Sequence, residues 1–380
     1  MRFLSSGFSH GKALMGIVDG FPANVPIDAD SINYDLARRQ SGYGRGGRQK
    51  IEKDRVDFIS GVKDGKTTGS PIGYLIWNKD YKIEELPSVY CPRPGHADLP
   101  GAIKFAQEDI RNILERASAR ETAVRVVAGS LANQLLSQLG VRSLAFVRQI
   151  GEIKLEEEDI DDWSFEFLNR IIPLSEVFCP SPEKSEEMKK QIDKAQKHSD
   201  TLGGVVEVWI EGLPPGIGTF TQWDQRLDGK LAQAVMSIPA IKGVEIGEGI
   251  WASSQFGSKV HDAIYYDEDK GYYRKTNRAG GIEGGMTNGE RVVVRAYMKP
   301  IATLGSPLDS VDIRTKEATK ATVERFDTCA VPAASVVVES MCRWVVAEMI
   351  VEKFGGDTLE DIKKAFDDYK NGRAKQWSER

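Results

Sequence analysis

Two of the chain's four histidines sit where a turn can hold an imidazole at a loop edge. His10 lies in Gly7-Phe8-Ser9-His10-Gly11, and His96 in Arg93-Pro94-Gly95-His96-Ala97-Asp98. An imidazole fixed this way can pass a proton to or from a bound group near neutral pH, and bound anions favour its protonated form. A capping or turn role competes with this reading at each position. His198, in a charged helical stretch, and His261, beside a predicted strand, are expected to be surface or structural. No His-x-His or His-Glu-x-x-His pattern is present, so no metal site is expected.

A second chemical feature is the stretch from Arg38 to Lys50, in which five cationic side chains and four glycines share thirteen positions. The chain as a whole carries a formal net charge of -5. Glycines let main-chain N–H groups approach an anion, and arginines offer planar forks to phosphate or carboxylate. A small, multiply anionic ligand fits this combination. Arg-Gly RNA-binding tails repeat such stretches, whereas this one is single. The spacing Gly42-x-Gly44-x-x-Gly47 matches a dinucleotide fingerprint, but a helical pattern (Ser31 to Gln40) precedes it where a strand is required. A solvated surface loop is the remaining alternative.

Further segments could contribute to one site. Glu115-Arg116-Ala117-Ser118-Ala119-Arg120-Glu121-Thr122 closes one helix and opens another, with small residues that permit close approach; an ordinary helix junction is the alternative. Gly280 to Gly289 is too glycine-rich for a standard hairpin and could let a flat ring or a phosphate lie against bare backbone. Lys299 to Thr303 ends a strand with a cation and a hydroxyl, and Arg325 and Asp327 share one side if extended. Gly65-Lys66-Thr67 is not a Walker A loop, because only three residues separate it from Gly61.

These groups need a scaffold. The spacing predicts helices over Ser31–Gln40, Ala102–Ala119, Thr122–Gln138, Pro182–Asp200, Arg226–Ile238, Ala333–Lys353 and Thr358–Tyr369. Strands are predicted at Arg55–Val62, Pro71–Trp77, Gly204–Glu211, Gly243–Gly247, Ala263–Tyr266 and Arg291–Met298. Without regular β-α-β alternation, the mixture indicates an α+β fold. Ile17 to Val25 echoes Trp209 to Ile217, 192 residues later. Each copy is an apolar strand end, an acid-Gly turn and a Pro turn with a left-handed candidate (Asn24, Gly216), followed by a helix. This suggests an internal pseudo-duplication within a single domain spanning 1–380, with halves of roughly 1–200 and 201–380; chance similarity of Gly-Pro turns is the alternative.

Composition is that of an ordinary globular chain, 41% hydrophobic and 28% charged. No apolar run approaches a membrane span of roughly 20 residues, and no signal peptide is expected. Four scattered cysteines (Cys91, Cys179, Cys329, Cys342) fit a reducing cytoplasm. The acidic balance argues against nucleic acid as the main partner.

Seven of these segments, in order from Gly7 to Asp327, resemble the motifs of chorismate synthase. The resemblance implies a β-α-β sandwich, with two four-stranded antiparallel sheets around a helical layer, assembled as a homotetramer. It implies a lyase of the shikimate pathway. That enzyme performs a 1,4-anti elimination of phosphate from 5-enolpyruvylshikimate 3-phosphate, giving chorismate for aromatic amino acid biosynthesis. Reduced FMN is required without net redox change, reduced either by NADPH on the protein itself or by an external flavin reductase.

By the same resemblance, His10 protonates the leaving phosphate, His96 protonates or stabilises the reduced flavin, and Asp327 helps remove the C6 proton. Arg39, Arg45, Arg48, Arg93, Arg120 and Arg325, with Ser9, bind substrate, and Arg39 and Arg45 are also given to NADPH. Flavin contacts fall on Arg116, Ala117, Ser118, Pro239, Ala240, Gly284, Lys299, Pro300, Ile301, Ala302, Thr303 and Arg325. Three residues depart from the family pattern. Phe8 replaces an acid that could orient His10, Pro239 stands where many relatives have Asn, and Phe326 replaces a small polar residue. Two rivals from other classes remain: a non-catalytic flavin or nucleotide-phosphate binding module, which needs no turn-held histidines, and an RNA-binding protein using the Arg-Gly stretch.

Overall fold

The computed structural model describes residues 1–47, 51–157, 160, 163–268 and 271–374 of the 380. Two antiparallel sheets dominate it. The first contains β1 (Arg2–Gly7), β2 (Ala13–Asp19), β3 (Asp57–Ser60) and β4 (Ile72–Trp77), in the order β1-β2-β4-β3. The second contains β5 (Arg142–Ile150), β6 (Gly204–Glu211), β7 (Ile241–Ile246) and β8 (Val292–Met298), in the order β7-β8-β6-β5. A two-residue strand, Ile153–Lys154, is added beside β5, so this sheet has five strands where four were expected.

The longer helices are α1 (Ala29–Gln40), α2 (Asp98–Phe105), α3 (Arg111–Ala117), α4 (Thr122–Gln138), α5 (Phe165–Ile171), α6 (Pro182–Lys197), α7 (Leu227–Met236), α8 (Val331–Phe354) and α9 (Leu359–Asp368). Local chemistry sets several of their ends. The Asp28 carboxylate accepts from Asp30 and Ser31 N–H at the start of α1. Ser181 caps α6, with Pro182 at its first position. Gly355, at φ +65°, ends α8.

α4 lies against β1 and β2, α8 against β5 and β6, and the two helices pack on each other. α8 is apolar nearly all round and correspondingly buried. One hydrophobic cluster runs continuously from Leu14 and Tyr74 through α4 and α8 to Val206 and Val294. The α4–α8 contact depends on Gly129, where a Cβ would fall 2.4 Å from the Cα of Ser340. Gly129→Ala is therefore expected to force the helices apart and lower stability by about 1–3 kcal/mol, measured as a shifted denaturation midpoint. An unchanged midpoint would mean that the helices separate at no cost.

The two sheets close their connections alike. After β2, Asn24 N–H donates to Thr67 O (2.9 Å), Val25 N–H to Thr67 Oγ1 (2.9 Å), and Thr67 Oγ1 to Pro22 O (2.6 Å). After β6, Gly216 N–H donates to Thr287 O (2.8 Å), Ile217 N–H to Thr287 Oγ1 (2.9 Å), and Thr287 Oγ1 to Pro214 O (2.7 Å). Asn24 and Gly216 both take left-handed φ, at +66° and +86°.

β1 (Arg2–Gly7) and α5 (Phe165–Ile171) were not among the predicted elements, and two further elements differ from expectation. The predicted helix over 102–119 is broken between α2 and α3. Ala106 turns left-handed at φ +50°, and the Asp109 carboxylate accepts from Val89 and Arg111 N–H. β5 was not expected. Its residues are buried on both faces, so no alternation marks it. No helix among the described residues is long and apolar enough to cross a membrane.

Candidate active site

The turns after β1 and before α2 meet the α3–α4 junction, the end of β8 and the segment leading into α8 around a cavity of about 670 Å³. Ser9, His10, Arg39, Arg45, Arg93, His96, Ala117, Ser118, Arg120, Pro239, Ala240, Lys299, Ile301, Ala302, Thr303, Arg325 and Asp327 all line it. Arg48 lies outside the described residues.

Three expected contacts are not among the residues lining the cavity. Arg116 turns toward β1, its Nη2 donating to Ser5 O (3.0 Å) and Ser5 Oγ (2.7 Å). It is one position beyond Glu115 on α3, so it points about 100° away from it. Pro300 is exposed between lining neighbours. Gly284 is the exposed tip of the hairpin Ile282–Glu283/Met286–Thr287, at φ +59°.

Each cavity histidine is held at Nδ1 by a carboxylate whose side chain is fully buried. His10 Nδ1 lies 2.8 Å from Glu115 Oε1, and the His10 main-chain N–H donates to Glu115 Oε2 at 2.7 Å. His96 Nδ1 lies 2.5 Å from Asp98 Oδ1. Asp98 also accepts from Arg93 N–H (3.0 Å), Nε (2.8 Å) and Nη2 (3.0 Å), while Arg93 Nη1 donates to Thr303 Oγ1 (2.8 Å). Burial alone would raise the Asp98 carboxyl, but hydrogen bonds from His96 and Arg93, reinforced by their charges, hold it well below the usual carboxylate range. Sequence reasoning missed Glu115 as a partner of His10. It opened a recognised segment, but nothing linked it to a residue 105 positions away.

The arginines form a connected wall. Arg120 donates to Asn78 Oδ1 (2.9 Å) and Asp54 Oδ2 (2.5 Å). Arg39 donates to Thr122 Oγ1 (2.9 Å) and Ala119 O (2.8 Å), and its Nη1 stands 3.7 Å from Asp54 Oδ2. Burial, opposed by Asp54 but aided by Arg120 and Arg45, pushes Arg39 down to about 10. Arg45 pairs with Asp327 at 2.5 Å. Arg325 is half-exposed and pairs with Asp80. Burial, followed by the nearby Lys242 charge, pushes the Lys299 ammonium below its usual range. Arg39 and Lys299 are thus dehydrated and crowded by like charge, and an entering anion offsets both penalties.

The glycine-rich loop is more constrained than its composition suggested. Gly46 N–H donates to Asp327 Oδ1 (2.6 Å), and Gly44 O accepts from Thr328 and Cys329 N–H (2.9 and 3.2 Å). A Cβ at Gly46 would sit 2.6 Å from Phe326 O. The glycines bring the loop onto the 326–329 segment and so set Arg45 against Asp327. Arg38 faces away, pairing with Asp35 (3.1 Å) and Glu339 (3.3 Å).

The cavity suits a flat, phosphorylated ring. Ile238, Pro239, Ala240, Met298, Ile301 and Ala302 supply apolar lining. At Gly95, a Cβ would enter a space bounded by Lys299 Nζ at 3.7 Å and Ala302 Cβ at 3.9 Å. Arg45 Nε and Arg120 Nη2 are buried without a hydrogen-bond partner; a polar ligand can satisfy such atoms. No cluster of His, Cys, Asp and Glu able to hold a metal occurs among the described residues.

The family described as chorismate synthase matches residues 1–351. The chain is 53% identical over 372 residues to the chorismate synthase of Caldanaerobacter subterraneus subsp. tengcongensis, covering 97% of this chain and 98% of that one. It is 52% identical over 391 residues to that of Aquifex aeolicus, covering 98% of each. A solved chorismate synthase structure superposes with a TM-score of 0.81 at 43% identity, over 98% of both chains. The chain belongs to the chorismate synthase family, lyases of the shikimate pathway.

Proposed function

We propose that the chain eliminates phosphate, in a 1,4-anti sense, from 5-enolpyruvylshikimate 3-phosphate to give chorismate, with reduced FMN and no net redox change. The observation that carries this reading is two histidines, each braced by a buried carboxylate, facing one cavity walled by arginines. Arg39, Arg45, Arg93, Arg120 and Arg325 bind the phosphate and two carboxylates of the substrate, with Ser9 beside them; Arg48 belongs to the same set. His10 gives a proton to the leaving phosphate oxygen. The flavin would be held by Ala117, Ser118, Pro239, Ala240, Lys299, Ile301, Ala302 and Thr303, with His96 beside it. Reduced FMN would supply electron density to the reacting substrate. Asp327 takes part in removing the C6 proton, and must exchange its contact with Arg45 to do so. The cavity's apolar walls exclude water while these charges move.

The contacts of α4 and α8 support a β-α-β sandwich with the helices as its middle layer. Matching strand order and matching Thr67 and Thr287 hydrogen bonds support an internal duplication. β5 is then the counterpart of β1, which moves the division from near residue 200 to about Gly140. Leu4, Met15, Ile17 and Trp77 leave an exposed apolar face on the first sheet, which supports a homotetramer. The chain is assigned to the cytoplasm, with NADPH or an external reductase as the source of reduced flavin.

The test is direct. Protein with FMN reduced anaerobically is expected to release phosphate from the substrate and to develop chorismate absorbance. No turnover with reduced flavin bound would sink the proposal. Repeating the assay with NADPH, with and without an added flavin reductase, identifies the reductant.

A further inference from the structure

We infer that Glu115 is the positioning residue of His10, a role to which the Phe8 side chain contributes no acid. The inference rests on the proposed role of His10 and concerns what makes that role possible.

Glu115 holds one residue at two points. Its Oε2 accepts the His10 main-chain N–H at 2.7 Å and its Oε1 meets the ring Nδ1 at 2.8 Å. The first contact fixes the turn and the second fixes rotation of the ring. The Glu115 side chain is fully buried, whereas Phe8 is 43% exposed and its side chain carries no polar atom. The backbone joins in, because Ser9 N–H donates to Glu115 O at 3.0 Å.

The carboxylate is braced in turn. Arg111, one turn earlier on α3, places Nη1 3.6 Å from Glu115 Oε1, and its Nη2 pairs with Glu324 Oε1 at 2.9 Å. Its Nε donates to Pro87 O at 3.1 Å. Glu115 thus links the His10 turn, through Arg111, to the segment that carries Arg325 and Asp327. Burial works against ionising Glu115, but the His10 ring and main-chain hydrogen bonds, with the Arg111 charge, hold its carboxyl below the usual range.

This arrangement settles the chemistry of the ring. An ionised carboxylate only accepts hydrogen bonds, so Nδ1 carries a hydrogen and proton transfer runs through Nε2. As the C–O bond breaks, its electron pair goes to the phosphate oxygen, which takes the Nε2 proton. The imidazole is left neutral with Nδ1–H still on Glu115, and Glu115 itself takes up no proton.

Glu115→Gln separates this role from a structural one. The amide oxygen can keep the main-chain contact, but its NH₂ now faces Nδ1 and forces Nδ1 to accept. In protein labelled with isotopic histidine, the Nδ1 chemical shift of His10, assigned by its loss in His10→Ala, is expected to change from the N–H type to the bare type. The kcat for phosphate release is expected to fall roughly 10²-fold or more, with KM and FMN affinity within about threefold. Glu115→Asp recovers part of kcat. An N–H signal that persists in Glu115→Gln, or an undiminished kcat, would overturn the assignment; so would a parallel loss of kcat and FMN affinity, which marks a structural role. If the unsubstituted protein fails to turn over, the proposed reaction falls, and the nitrogen shift still decides whether Glu115 sets the His10 tautomer.

Discussion

Alanine at position 10 is expected to lower phosphate release by roughly 10²–10⁴-fold, while FMN affinity changes little. The ring stands at the cavity wall with Nδ1 committed to Glu115, so removing it removes the proposed proton donor without touching the apolar surface formed by Ile238, Pro239 and Ile301. Stopped-flow turnover with prereduced FMN, paired with a flavin titration, separates the two quantities. A near-wild-type rate would take His10 out of the mechanism. A matching fall in flavin affinity would make it a binding residue.

The largest effect on stability is expected at Asp98. Its carboxylate is fully buried and receives the His96 ring and three Arg93 groups. Asp98→Ala leaves a guanidinium and an imidazole without their anion, a loss of about 3–5 kcal/mol for a broken buried pair. Arg93 keeps Thr303, which is too little to replace a charge. The pH dependence has a definite sign. The folded carboxyl titrates below an unfolded aspartate, whose pKa is about 3.9, so its stabilisation is complete above that pH and is lost as pH falls below it. Denaturation midpoints of Asp98→Ala and the parent protein are therefore expected to lie furthest apart near neutral pH and to converge in acid. A gap that persists unchanged in acid would show that packing, not charge, makes Asp98 matter.

Much of the scaffold was legible because its signals are local. The predicted bounds of α4 and β6, Thr122–Gln138 and Gly204–Glu211, match the observed ones. β5 was illegible because burial on both faces erases the alternation that marks a strand. The break between α2 and α3 depends on Asp109 reaching back to Val89, a contact that helical periodicity does not report. The same division runs through the site. His10 and His96 announced themselves by glycine-bordered turns. Asp98 lay within the same motif as His96, but Glu115 and Asp54 act across 105 and 66 positions on His10 and Arg120. The displaced expectations have geometric causes: Arg116 faces β1 because its neighbour Glu115 faces His10, and Gly284 belongs to a hairpin away from the cavity.

The bond from Gly46 N–H to Asp327 spans 281 positions. The cavity wall runs from Ser9 to Val337, so most of the chain must be made before the pocket exists at all. A nascent chain that has emerged only as far as α4 already carries His10, His96, Arg39, Arg45, Arg93 and Arg120, but lacks Arg325 and Asp327 and has no floor on which to seat a ring. Competence is then acquired late in synthesis, and contacts of such sequence separation favour slow folding. A chain truncated before α8 is inert for lack of an enclosure rather than for lack of reactive groups.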